Sequence, residues 1–137
     1  MAADGLITVP SRYGAKDTAA GLAAGVEARG MTVFARIDHA AGAVEVGLPL
    51  RPTELLIFGN AKGGTPLMQS RQTIGIDLPL KVLVWQDEVG KVWVSYNDPS
   101  WLAKRHGLGP DIASALSAMA AGLGAIVKEA TLASGWC

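Results

Sequence analysis

Glu54-Leu55-Leu56-Ile57-Phe58-Gly59-Asn60-Ala61-Lys62-Gly63-Gly64-Thr65-Pro66-Leu67-Met68 is the stretch whose reading decides the fold. Four consecutive apolar residues, Leu55 to Phe58, run straight into a glycine-broken polar segment with one amide and one ammonium. A short continuous apolar run bounded by turn residues predicts a strand buried on both faces. Polar groups leaving the end of such a strand are where α/β sheets tend to bind ligands. Glycines within Asn60–Thr65 let backbone N–H groups approach an anion closely, and Lys62 adds a positive charge. The segment is not a P-loop, because no lysine followed by Ser or Thr comes after Gly64. A plainer reading stands beside this one: a tight loop whose glycines serve backbone geometry, with Lys62 in solvent.

Upstream, Gly5 to Val9 predicts a first strand that stops at Pro10-Ser11. Ala19, Leu22, Ala23 and Val26 form a narrow helical stripe over 15–29, with Asp17 in the first turn and Gly30 as the stop. Its small residues predict close packing on whatever lies beneath. Met31 to Ile37 alternates as a second strand, and Asp38 caps a short helix to about Val46. Downstream, Pro66 to Ser70 reads as one helical turn and Thr73 to Pro79 as irregular. Leu80–Trp85 and Lys91–Tyr96 alternate around the turn Asp87-Glu88-Val89-Gly90, the clearest hairpin in the sequence, with Trp85 and Trp93 placed to pair across it. Asp98-Pro99 opens a helix to His106. Ile112, Leu116, Met119, Leu123, Ile126 and Ala130 then recur at steps of four and three, predicting a long helix buried along its whole length.

The 137 residues are enough for one domain with a real core. Hydrophobic residues make up 50% and charged residues 18%, which excludes a disordered chain. Lysine plus arginine balance aspartate plus glutamate at 12 each, so a nucleic-acid partner is not expected. The single cysteine, Cys137, is terminal and forms no internal disulfide. No continuous apolar run reaches the roughly 20 residues of a spanning helix, so no membrane partner is expected either. The chain is read as soluble, cytoplasmic, or periplasmic if Met1-Ala2-Ala3-Asp4 is the stub of a trimmed signal.

Ile37-Asp38-His39-Ala40-Ala41-Gly42-Ala43, Glu54–Met68, Ile76-Asp77-Leu78-Pro79-Leu80-Lys81, Ser95-Tyr96-Asn97-Asp98-Pro99 and Leu102-Ala103-Lys104-Arg105-His106-Gly107-Leu108 together resemble a bacterial family, domain of unknown function 302. The resemblance covers nearly the whole chain and implies a small α/β sandwich, commonly a homodimer, with no assigned activity. One departure is Ala61, where the family more often has proline before the lysine.

Several constellations carry candidate chemistry. Asp38-His39 follows the second strand as the glycine segment follows the third. If the two strands were parallel, His39 would sit near Lys62 and could shuttle a proton or ligate a metal; otherwise Asp38 simply caps and His39 bonds a nearby carbonyl. Asp77 and Lys81 can form a buried ion pair that pins the strand start or marks a site. His39, His106, Met68 and Cys137 are too scattered for a metal site, and no metal is expected. No serine lies in a Gly-x-Ser-x-Gly context. The four tryptophans, among them Trp101 and Trp136, read as core or interface.

The expected architecture is therefore an α+β two-layer sandwich: a mixed sheet of four or five strands, a C-terminal β-hairpin, and helices packed on one face. The expected function is a small-molecule or anion-binding domain acting as a homodimer, its site drawn from Asp38, His39, Asn60, Lys62, Thr65 and Asp77. The cofactor is unknown. Two alternatives remain: an enzyme of unknown reaction with His39 as acid or base and Lys62 steadying negative charge, and a structural or partner-binding domain without a ligand.

Overall fold

The computed structural model describes residues 4–132. The readings of Met1–Ala3, Trp136 and Cys137 fall outside them. In chain order the elements are β1 (Leu6–Pro10), α1 (Ala15–Ala28), β2 (Thr32–Asp38), α2 (His39–Glu45), β3 (Thr53–Gly59), α3 (Ala61–Ser70), β4 (Leu80–Gln86), β5 (Val92–Asn97), α4 (Pro99–His106) and α5 (Ala113–Thr131). Short 3-10 turns at Gln72–Ile76 and Pro110–Ile112 precede β4 and α5. The five strands form one open sheet in the order β1-β5-β4-β3-β2. The fold is α+β, as expected.

The sheet is not mixed. Every pairing is antiparallel, including β2 with β3, whose register sets Thr32 opposite Gly59 and Asp38 opposite Glu54. A helix between two strands suggested a parallel crossover, but α2 has only seven residues and no buried side chain. The connection over residues 39–52 is long enough for a parallel crossover, but α2 buries no side chain against the sheet, and β3 pairs back along β2 instead.

The core lies between one sheet face and the α1/α5 pair. Leu56, Phe58, Val82, Val84 and Val94 alternate along their strands to meet Leu22 and Val26 of α1 and Leu123, Ile126 and Val127 of α5. The run Leu55–Phe58 is thus buried on one face, not two: Leu56 and Phe58 are fully buried, while Leu55 and Ile57 on the other face are half-buried. The predicted close packing of α1 is realised at Gly21 and Gly25. A Cβ at Gly21 would lie 3.4 Å from the Ala130 side chain, and one at Gly25 would lie 3.4 Å from Ile126. The two missing side chains are what let α1 and α5 approach.

A smaller cluster of Leu67, Ile74 and Leu102 joins α3, the first 3-10 turn and α4. Asp98 caps α4, its carboxylate accepting from the Ser100 N–H at 2.9 Å. Gly107 ends that helix in the left-handed region at φ 66°, which a side chain would resist. The hairpin is in the expected register: Trp85 faces Trp93 and their rings stack with centroids 6.1 Å apart. Asp87 receives the Trp93 indole N–H at 2.9 Å, and that bond, ahead of the turn N–H bonds from Lys91 and Val89, holds its carboxyl below the usual range.

Candidate functional site

Asn60 through Gly64 is not a loop. Helix α3 begins at Ala61, directly after β3, with Asn60 as its N-cap. The Gly63 N–H donates to Asn60 Oδ1 at 2.6 Å, and the Gly64 N–H donates to the Asn60 carbonyl at 3.1 Å. Gly63, Gly64 and Pro66 are poor helix residues, which is why the sequence reads as a loop. The cap and the burial of Leu67 outweigh that propensity. The glycine cradle is therefore closed by the protein's own amide.

The first turn of α3 instead forms one wall of a cavity of about 610 Å³. Met31 and Phe34 come from the β2 end of the sheet, Leu78 to Leu80 from the start of β4, and Ala115, Ala118, Met119 and Gly122 from α5. Phe34 is the extra residue of a β-bulge between Val33 and Ala35 on an edge strand. Bulges re-aim side chains beside sites, and this one brings Phe34 to the cavity although it is 57% exposed. The predicted stripe of α5 divides in two: Leu123, Ile126 and Ala130 fill the core, while Leu116 and Met119 nearer the start are half-buried. Small residues on that first half leave the cavity open. A Cβ added at Gly122 would meet nothing within 4 Å.

Its lining is mainly apolar and contains three polar side chains, Arg29, Asn60 and Lys62, and no carboxylate. Arg29 is already engaged: its Nη1 and Nη2 donate to Glu129 at 3.1 and 3.2 Å. The hydrogen bond from Arg29, then its charge, lowers the Glu129 carboxyl; the same bond raises the guanidinium. Asn60 Oδ1 is taken by the cap. Lys62 is exposed and enters no ion pair among the described residues.

Of the residues expected to form one site, Asn60 and Lys62 meet at the cavity. Thr65, one turn further along α3, is exposed and does not line it. Asp38 and His39 lie at the other end of the sheet. Because β2 and β3 are antiparallel, the seven residues of β2 separate His39 from Gly59-Asn60 by about 20 Å at the usual rise per residue. Asp38 does what a cap does, accepting from the Ala41 N–H at 2.9 Å, and His39 is exposed. Within one chain that distance keeps His39 from working alongside Lys62.

Asp77 is buried as expected, but Lys81 is not its partner. Arg105 Nη1 donates to both carboxylate oxygens at 3.0 and 2.9 Å, and His106 Nε2 lies 2.6 Å from Oδ2. Thr73 Oγ1 stands 3.0 Å from His106 Nδ1. Lys81 sits inside β4 opposite Ile57, on the face away from the core. Arg105 and His106 come from the last turn of α4, where cations are favoured. Hydroxyl, imidazole and carboxylate stand in the order of a nucleophilic triad. Arg105 takes the same carboxylate, however, and none of the three residues lines the cavity, so the cluster ties α4 to the start of β4. Asp77 and the Arg105-His106 pair stand far apart in the sequence, with no spacing that would join them to each other or to Thr73.

The family described as "Domain of unknown function DUF302" matches residues 7–126. This chain belongs to that family. A crystal structure of an uncharacterised conserved DUF302 protein from Bacillus stearothermophilus is similar over 93% of this chain and 99% of that one, with a TM-score of 0.82 and 20% identity, which shows the shared fold. Curated relatives named fluoride-specific ion channel FluC 1 in Brucella suis biovar 1 and FluC 2 in Brucella melitensis biotype 1 are each 52% identical over 126 residues. The match takes in 92% of this chain but only 50% and 47% of those proteins, so the chain spans about half the length of the curated relatives it matches. Relatives named as ion channels correct the expectation that membranes play no part. The described residues also hold one helical stretch, Pro110–Thr131, long and apolar enough to cross a membrane by length and composition, with a mean hydropathy of 1.4. Interspersed serines, glycines and Asp111 break it into shorter apolar runs.

Replacing Asp77 with asparagine removes the negative charge that Arg105 and His106 share at a largely buried position, and should cost about 1–3 kcal/mol of unfolding free energy in urea. Thr73→Ala should cost less than half as much. Equal losses would show that the Thr73 hydroxyl matters as much to the tie as the Asp77 carboxylate.

Proposed function

We propose that this DUF302 domain binds a small molecule in the cavity between α3, α5 and the β2–β3–β4 end of the sheet. The observation that carries the reading is the cavity itself. Its 610 Å³ lies in the range of ligand sites, and it has the usual make-up of an apolar wall with a few polar groups at fixed positions. Its polar groups are Asn60, Lys62 and the Glu129-paired Arg29. The enzyme alternative loses its support with His39 at the far end of the sheet.

The relatives' channel names bear on context. A spanning structure must be helical or a closed barrel. The sheet here is open, with β1 and β2 as edges, and the one long apolar helix among the described residues gives Leu123, Ile126 and Val127 to the domain core. These features support a role as a binding unit carried beside a membrane-spanning portion in the longer relatives, not as the pore. Self-association is a second element of the proposal. Half-buried Leu55, Ile57, Leu83 and Trp85 share the sheet face that α1 and α5 leave uncovered, a surface suited to a second copy packed face to face.

The neutral dye Nile red should bind the protein saturably, with a rise in emission, and Gly122→Leu should weaken that binding roughly tenfold or more by filling the cavity. The same variant should fold at least as stably as the parent, since it replaces a helical glycine. Unchanged dye binding would remove the cavity from the account. By sedimentation, the mass should rise toward twice the chain's with concentration, and Leu83→Lys should restore the single-chain mass. A single-chain mass at every concentration would end the proposal of self-association.

A further inference from the structure

We infer that the ligand is an amphipathic anion: a flexible or planar apolar body ending in one anionic group that pairs with Lys62. The inference rests on the cavity reading and adds the chemical class. Charge accounting around the cavity supplies it. No Asp or Glu lines the wall, Arg29 is neutralised by Glu129, and Asn60 Oδ1 is committed to the Gly63 N–H. Lys62 is left as an uncompensated ammonium beside an apolar wall. A cationic ligand would meet repulsion there with no carboxylate to offset it, and a fully polar one would lose its hydration against Leu78, Met68 and Met119 without new partners.

The apolar side of the match is permissive. Met31, Met68 and Met119 are unbranched thioethers that reshape around different bodies. Phe34 offers an aromatic face beside them. The site thus selects by charge at one end and by hydrophobicity, not by outline, over the rest. The same chemistry comes from two sources, a free organic acid or a membrane lipid with an anionic head.

Titration calorimetry with octanoate, octanol and octylamine separates the layers of this inference, and flotation with phosphatidylglycerol or phosphatidylcholine vesicles separates the sources. Octanoate should bind roughly tenfold tighter than octanol, the size of one charge-assisted contact, with octylamine weakest. Lys62→Ala should bring octanoate to the level of octanol, and Lys62→Arg should keep the preference. Lys62 is exposed in the first turn of α3, so neither variant disturbs the fold. Flotation with phosphatidylglycerol alone, lost in Lys62→Ala, supports the inference with a lipid as the source. Equal binding of octanol and octanoate overturns the charge selection while leaving the cavity as a binding site. An octanoate preference that survives in Lys62→Ala overturns the assignment to Lys62. If no probe and no vesicle binds, both the inference and the cavity reading fall.

Discussion

Antiparallel pairing of β2 with β3 is the constraint on which the candidate site depends. It sets Thr32 against Gly59 and Asp38 against Glu54, and so assigns each connecting segment to one end of the sheet. Asn60 and Lys62 go to the end where Met31 and Phe34 enter; Asp38 and His39 go to the other. With parallel strands the same residues would have formed a site with a histidine in it. Strand direction therefore decides between acid–base chemistry and simple binding.

Around that end of the sheet, three local features make a cavity where a continuous core would otherwise form. The bulge at Phe34 turns an edge-strand side chain toward it. The Asn60 cap starts α3 at once after β3, bringing Lys62 to the rim. Small residues on the first half of α5 keep that helix from filling the space, while its second half closes tightly on α1 through Gly21 and Gly25. One helix thus serves packing along half its length and shapes the cavity along the other.

The fold was legible wherever a pattern repeats. Alternation gave β4 and β5 and the Trp85–Trp93 pair, capping residues gave the starts of α2 and α4, and the three-four spacing gave α5. What was not legible depends on tertiary context. Gly63, Gly64 and Pro66 obscure α3, because a cap and the burial of Leu67 override weak propensity. The direction of β2 against β3 leaves no mark in either strand. Asp77 is a buried charge that needs a partner, but Lys81, close in sequence, is carried away by the strand, and Arg105 and His106 arrive from another helix. The cavity itself had no sequence signature beyond the small residues of α5, which also fit a plain packing face. Of the cavity lining, Asn60 and Lys62 stand in the glycine-rich segment that the sequence marks, as a helix start and not a loop, whereas Phe34 carries no sequence signal that would place it there.

Methyl NMR of the methionines tests the central claim most directly, that the cavity is the place where this domain meets a ligand. Met31, Met68 and Met119 line the cavity, and each methyl reports its own surroundings. Titration with octanoate should shift all three along saturating curves that share one dissociation constant, while the His39 ring signals stay fixed. Methyl signals that do not move at octanoate concentrations where calorimetry registers binding would place the ligand elsewhere on the protein and contradict the account.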